Sequence, residues 1–310
     1  MTKRDFLTID NLGPKELANL LDGAAEFSKD RTPTKQLAGK SVALIFEKPS
    51  TRTRVSFEVA VNELGGYPVP LAVADLQLGR GETIEDTGQV LSRLVHAVVL
   101  RTFEQEKLSK LAEAASIPVI NALSDYSHPC QALADLLTIR QHRGKLAGFK
   151  LAYLGDGNNV AHSLMFAGAK MGMNITVITP KGYEPLKSVT RRSQEIAGET
   201  GGSVTVTNDT AAAEGADALY TDVWASMGQE LESSIRLKVF PPYRITEELV
   251  AAAAKDVLVM HCLPAHRGEE VAAAAIDGPH SVIFDQVENR LHTEKALLAW
   301  LLTGHAGPVR

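Results

Sequence analysis

Five consecutive residues, Ser50-Thr51-Arg52-Thr53-Arg54, set three hydroxyls and two guanidinium groups at the start of an amphipathic run. If that run is a helix, its first backbone N–H groups lack intrahelical partners, and the cluster makes an anion site best suited to a phosphate. A lone Ser or Thr at such a place serves as a helix cap; the density of donors over five residues favours the anion. Arg101 follows the apolar, β-branched run Ala97–Leu100, and His128-Pro129-Cys130-Gln131 opens a second amphipathic run. Pro129 suits a first helical turn, and the three-residue spacing sets His128 near Gln131. A cation, an imidazole and an amide could then surround one carbonyl oxygen, although a single His there also serves as a cap or packing residue.

Three further polar segments follow apolar runs. Gly155-Asp156-Gly157-Asn158-Asn159-Val160 resembles a dinucleotide turn, but Val160 replaces the third glycine and Thr179-Pro180-Lys181 offers no acid for a ribose. These departures argue against an NAD-dependent dehydrogenase; Asn159 can instead meet a small polar substrate, or the segment can be a plain turn. Asp222, in Asp222-Val223-Trp224, can bind an ammonium group. His261-Cys262-Leu263-Pro264 invites a thiol nucleophile, yet adjacent side chains on an extended segment diverge, so a binding or polarising role suits Cys262 better. Arg290 adds one more cation, and Cys130 is expected to be structural.

These residues need strands and helices to hold them. Short apolar or β-branched runs predict strands at Ser41–Phe46, Val69–Val73, Ala97–Leu100, Val119–Asn121, Lys150–Leu154, Asn174–Ile178, Ser203–Thr207, Ala218–Thr221, Val257–Met260 and Val282–Asp285. Amphipathic stretches between them predict helices, among them Arg54–Leu64, Pro129–Arg143, Ala161–Met171, Glu269–Ala275 and Thr293–Leu302. This alternation is that of an α/β protein with doubly wound, mostly parallel sheets flanked by helices, and ten strands are too many for one small sheet. The polar, glycine-bearing segment Gln141–Gly148 is the best boundary, giving domains 1–143 and 144–292 with a terminal helix over 293–310.

Composition narrows the function classes. The chain has 310 residues, 45% of them hydrophobic, with 32 Lys plus Arg against 37 Asp plus Glu. A net charge of −5 leaves no basic excess for a nucleic-acid backbone, so no nucleic-acid partner is expected. No apolar run approaches the ~20 residues that span a bilayer, and the first residues lack an apolar signal region, so no membrane partner is expected and a cytoplasmic location is. The two cysteines have no metal-type spacing and should both be free thiols.

Ser50-Thr51-Arg52-Thr53-Arg54 and His128-Pro129-Cys130-Gln131 resemble the carbamoyl-phosphate signatures of the aspartate and ornithine carbamoyltransferase family. Asp222-Val223-Trp224 with Ser226-Met227-Gly228, and His261-Cys262-Leu263-Pro264, resemble its ornithine branch. The resemblance implies a carbamoyl-phosphate domain, an ornithine domain, an active site in the cleft between them, and a homotrimer with shared sites. It also implies that the last helix returns to the first domain. By position it assigns Ser50, Thr51, Arg52, Thr53, Arg101, His128, Gln131, Cys262, Leu263 and Arg290 to carbamoyl phosphate. Asn159, Asp222, Ser226 and Met227 fall to L-ornithine, and Gln77 to a loop reaching the neighbouring subunit. Arg101, His128, Asp222 and Cys262 are the implied catalytic residues. The implied reaction gives L-citrulline and phosphate, as in arginine biosynthesis, with no metal or organic cofactor. A carbamoyltransferase for putrescine or an acylated ornithine is the alternative within the family.

Overall fold

The computed structural model describes residues 3–72, 81–225 and 232–309. It divides into two compact units, Met1–Leu137 with Glu288–Arg310, and Thr138–Val287. The first holds α1 (Pro14–Lys29), β1 (Ser41–Phe46), α2 (Thr51–Glu63), β2 (Tyr67–Ala72), α3 (Ile84–Leu94), β3 (Ala97–Arg101), α4 (Gln105–Ala114) and β4 (Val119–Leu123). It also takes most of α5 (Pro129–Arg143) and of α11 (Ile283–Thr303). The second holds β5 (Lys150–Leu154), α6 (Asn159–Lys170), β6 (Asn174–Ile178), α7 (Lys187–Thr200), β7 (Ser203–Thr207), β8 (Ala218–Thr221), α8 (Ser233–Val239), α9 (Glu247–Ala252), β9 (Leu258–His261) and α10 (Ala273–Ile276). No helix among the described residues is long and apolar enough to cross a membrane.

Both sheets are wholly parallel, in the orders β2-β1-β3-β4 and β7-β6-β5-β8-β9. Helices on both faces explain why β3 and β4 are buried along their whole length and read as continuous apolar runs rather than alternating ones. In the first unit, Ala43, Ile45, Val98 and Leu100 pack against Leu91, Leu108 and Leu111. In the second, Leu154, Ile178 and Leu219 pack with Tyr243, Ile245, Val257 and Ile283.

Two elements depart from the sequence expectation. Val282–Asp285 is not a tenth strand: Ser281 makes a single bridge with Val259, and α11 begins at Ile283, with the Gln286 N–H donating to Val282 O at 3.0 Å. Only two β-branched residues stand together there, and Asp285 in the first turn suits a helix N-terminus. Arg290 therefore lies within a helix rather than in a loop after a strand. The helix expected over Glu269–Ala275 is confined to Ala273–Ile276, because the backbone of 270–272 pairs with Ile245 and Gly268 turns at φ 89°.

Candidate active site

In the first sheet the strand order reverses between β1 and β3, the place where open α/β sheets hold ligands beyond their carboxyl ends. Phe46 pairs with Arg101 in register, and the Glu47 N–H donates to Arg101 O at 2.8 Å. The segment leading into α2 thereby starts beside Arg101. Lys107 and Thr102 both hold the Glu47 carboxylate, and Lys48 pairs with Asp125, which anchors this segment from both sides. Ser50 caps α2, its Oγ accepting from the Thr53 N–H at 3.2 Å. The capping reading is thus correct for Ser50 and does not compete with the anion reading: Thr51 stands exposed at the helix start, Arg52 is half-buried and Thr53 is buried. Hydroxyls, guanidinium groups and the positive end of the helix together suit a phosphate dianion.

Arg290 joins this cluster from α11. Its Nη2 donates to Thr53 Oγ1 at 3.3 Å and its Nη1 to Gln131 Oε1 at 3.0 Å. His128 lies immediately before α5 and its carbonyl accepts from the Ala132 N–H at 3.3 Å, so Pro129 does occupy the first helical position. Burial, then the positive charges of Arg290, Arg101 and Arg52, hold the His128 imidazole well below its ordinary pKa. It is a neutral ring at working pH, able to donate one hydrogen bond without carrying charge. Burial pushes the Cys130 thiol far up, and its Sγ donates to Asn121 O at 3.4 Å, so this cysteine is an unreactive packing group.

The second unit repeats the geometry. Its sheet order reverses between β5 and β8, and the polar turns follow these two strands. Gly155 turns at φ 137°, and a Cβ on Gly157 would lie 2.2 Å from Pro185 N, so the close approach admits only glycine. Asn158 then caps α6, accepting from Val160 and Ala161 N–H groups at 2.9 and 3.2 Å. Its Nδ2 donates to Asp222 Oδ2 at 2.8 Å, while Asp222 Oδ1 accepts from Cys262 Sγ at 3.0 Å and from the Val223 N–H at 2.8 Å. Asn159 is the first residue of α6. Arg236 extends the support, donating to Asp156 Oδ2 and to Trp224 O, both at 2.7 Å.

His261 does not serve Cys262. Its Nδ1 accepts from the Leu263 N–H at 2.8 Å and its Nε2 lies 3.2 Å from Glu270 Oε1, so both ring nitrogens are engaged by partners other than the thiol. Leu263 sits at φ 59°, a strained backbone for a branched residue of the kind found at functional turns. Asp222, His261 and Cys262 bring three potential ligand atoms within 4.8 Å, but both ring nitrogens of His261 are already engaged, leaving no imidazole lone pair for a metal.

The structure thus gathers Thr53, Gln131 and Arg290 by direct contact, places Arg52, Arg101 and His128 within electrostatic reach of them, and separately gathers Asp222 and Cys262. Gln77, Ser226 and Met227 lie outside the described residues. Asn158 and Glu294 join the two clusters without having been singled out in the sequence. Asn158 lies beside the chosen Asn159, and the Arg290 to Glu294 spacing of one helical turn was the readable signal for the second.

Two family profiles match the chain: the carbamoyl-P binding domain of aspartate/ornithine carbamoyltransferase over residues 4–141, and the Asp/Orn binding domain over residues 147–301. An ornithine carbamoyltransferase of Parafrankia sp. is 60% identical over 307 residues, covering 97% of each chain. Another, of Acidothermus cellulolyticus, is 58% identical over 98% of each. The solved structure of ornithine carbamoyltransferase from Pyrococcus furiosus superposes with a TM-score of 0.94 at 50% identity, covering 98% of each chain.

Proposed function

Because the chain belongs to the aspartate/ornithine carbamoyltransferase family, we propose that it transfers the carbamoyl group of carbamoyl phosphate to the δ-amine of L-ornithine, releasing L-citrulline and phosphate. The observation that carries this reading is the pair of clusters at the two sheet reversals. One is rich in phosphate and carbonyl donors; the other carries a carboxylate already held by Asn158 and Cys262.

Ser50, Thr51, Arg52 and the start of α2 bind the phosphate, and Arg52 stabilises it as it departs. Arg101, neutral His128, Thr53 and Arg290 donate toward the carbamoyl oxygen, where negative charge grows as the amine attacks; Gln131 orients Arg290 and the carbamoyl end. Asn159, Asp222, Ser226 and Met227 bind ornithine, while Cys262 and the strained Leu263 backbone flank the reacting carbonyl. An alkyl amine of pKa ~10.4 is only about one part in a few thousand neutral at pH 7, so the site has to select the free base. The leaving phosphate then collects the proton. Residues 1–143 with 293–310 are the carbamoyl-phosphate domain and 144–292 the ornithine domain. The working assembly is a cytoplasmic homotrimer in arginine biosynthesis, with Gln77 reaching a neighbour's pocket.

An amine panel tests the reading: citrulline should form from L-ornithine, with little product from putrescine, an acylated ornithine or aspartate. Putrescine used at least as efficiently as ornithine overturns the ornithine assignment. Cys262→Ala should lower kcat/KM only about 5- to 10-fold, the loss of one hydrogen bond to Asp222 rather than of a nucleophile. A carbamoyl thioester on Cys262, trapped by rapid quench and mass spectrometry at a competent rate, would replace direct transfer with a two-step path.

A further inference from the structure

Arg290 and Glu294 stand one turn apart on α11 with side chains only 3% and 1% exposed. The Nε and Nη2 of Arg290 both donate to Glu294 Oε1, at 3.1 and 2.7 Å. Nη1 reaches Gln131 Oε1, and Nη2 reaches Thr53 Oγ1. Gln131 cannot reverse its amide without losing the bond from its Nε2 to Asp135 Oδ1 at 2.8 Å. Every partner of the guanidinium is therefore an acceptor, and among the described residues one Nη1–H remains uncommitted.

We propose that Glu294 is a positioning residue for carbamoyl phosphate: it anchors the Nε and Nη2 edge of Arg290, so that the uncommitted Nη1–H is presented beside Gln131 to the substrate's carbamoyl end. The proposal rests on the carbamoyl-transfer reading above. A buried guanidinium without its carboxylate would lose one fixed side and its charge partner, and would turn toward any other anion in the pocket, the phosphate included. Donation at the carbamoyl end would then be lost even with every substrate-contacting residue intact.

Charge supports the geometry. Burial pushes the Glu294 carboxyl up to about 7, against the pull of Arg290 and a hydrogen bond from Ser56. Burial opposes the charge on Arg290, and the charge and hydrogen bonds of Glu294, with Asp135, favour it. The groups facing this pair are Thr53 and Ser56 from α2, Cys130, Gln131 and Asp135 from α5, and His128 before it. Cys130 stays a thiol and His128 stays neutral. Protonation of Glu294 removes the charge that holds Arg290 as pH falls through about 7.

The test compares the whole enzyme with Glu294→Ala and Glu294→Gln, recording both KM values, kcat, thermal unfolding and the pH profile at saturating ornithine. Glu294→Ala should raise KM for carbamoyl phosphate about 10- to 100-fold, with KM for ornithine within about twofold of wild type. Glu294→Gln keeps an acceptor oxygen but not the charge, so it mimics protonated wild type and should keep much of that loss at pH 8. It should also lack the acid limb near pH 7 that wild type shows in kcat/KM for carbamoyl phosphate. If wild type makes citrulline and both variants keep KM for carbamoyl phosphate within about twofold, Glu294 only stabilises the fold and the proposal is overturned. If Glu294→Ala fails to fold, an acid limb unchanged in Glu294→Gln overturns it equally. Wild type that makes no citrulline refutes the reaction instead.

Discussion

Arg101→Ala should lower kcat about 10²- to 10³-fold, the effect of removing one donor aimed at a developing oxyanion. Arg101 is the last residue of β3, buried beside the strand-order reversal and tied to the α2 approach through the Glu47 N–H. Its charge helps to hold His128 below its ordinary pKa. Two consequences separate this from a folding defect. KM for ornithine should stay near wild type, because the residues proposed to bind ornithine belong to the other unit. The activity of the variant should also become more sensitive to acid, because His128 loses part of the positive charge that keeps it neutral and its pKa moves back toward 6.5. Arg101→Lys should recover only part of the rate, since a point ammonium cannot match the planar guanidinium fork. A defect confined to ornithine binding would refute the role.

The strand-to-turn-to-helix signals that identified the site were local, and local signals survive folding. Ser50 caps α2, which begins at Thr51 rather than at the expected Arg54, Pro129 starts α5, and Gly155 and Gly157 form the tight turn before α6. The dinucleotide pattern failed for a reason visible in the structure: the turn ends in Asn158, whose amide is spent on capping α6 and on Asp222. Val282–Ile283 reads as a strand because two β-branched residues resemble the start of a buried one, yet it opens α11. What decides it is distant: Gln286, one turn on, accepts from the His261 N–H at 3.0 Å and so ties the helix to the end of β9.

The Arg290 cluster was legible only in fragments. Thr53, Gln131 and Arg290 each carried the right chemistry, but 159 residues separate Gln131 from Arg290, and no spacing rule joins them. The role of Glu294 is not legible in the sequence, because an exposed Arg/Glu pair at i,i+4 contributes only a few tenths of a kcal/mol and is common on helix surfaces. Burial changes its meaning, and burial belongs to the tertiary fold. The expected divergence of His261 from Cys262 on an extended segment does not describe the turn: a ring nitrogen and the Cys262 Sγ lie within 4.8 Å, and it is the bonds to Leu263 and Glu270 that keep His261 from serving the thiol. The partner that fixes His261, Glu270, is nine residues away across a turn.

Asp222→Ala should lower kcat/KM for ornithine about 10²- to 10³-fold while leaving KM for carbamoyl phosphate within about twofold, the cost of truncating one side of a buried ammonium–carboxylate pair. The carboxylate offers about four lone-pair positions, and among the described residues three are filled, by Cys262 Sγ, the Val223 N–H and Asn158 Nδ2. Those three bonds fix its plane, and in the proposed reading the fourth position takes the amino acid's ammonium group. Asp222→Asn is the sharper variant: it keeps the shape, but one carboxylate oxygen becomes an N–H₂ that must oppose either Asn158 Nδ2 or the Cys262 thiol. Its loss in ornithine efficiency should therefore approach that of alanine, even with the fold intact by thermal unfolding. Pairing Asp222→Asn with Cys262→Ala separates the two contributions. If Asp222 acts by its charge on ornithine, removing the thiol clash restores little activity. If Asp222 only props the Cys262 loop, the double variant should do no worse than Cys262→Ala alone, and the ammonium-binding role is refuted.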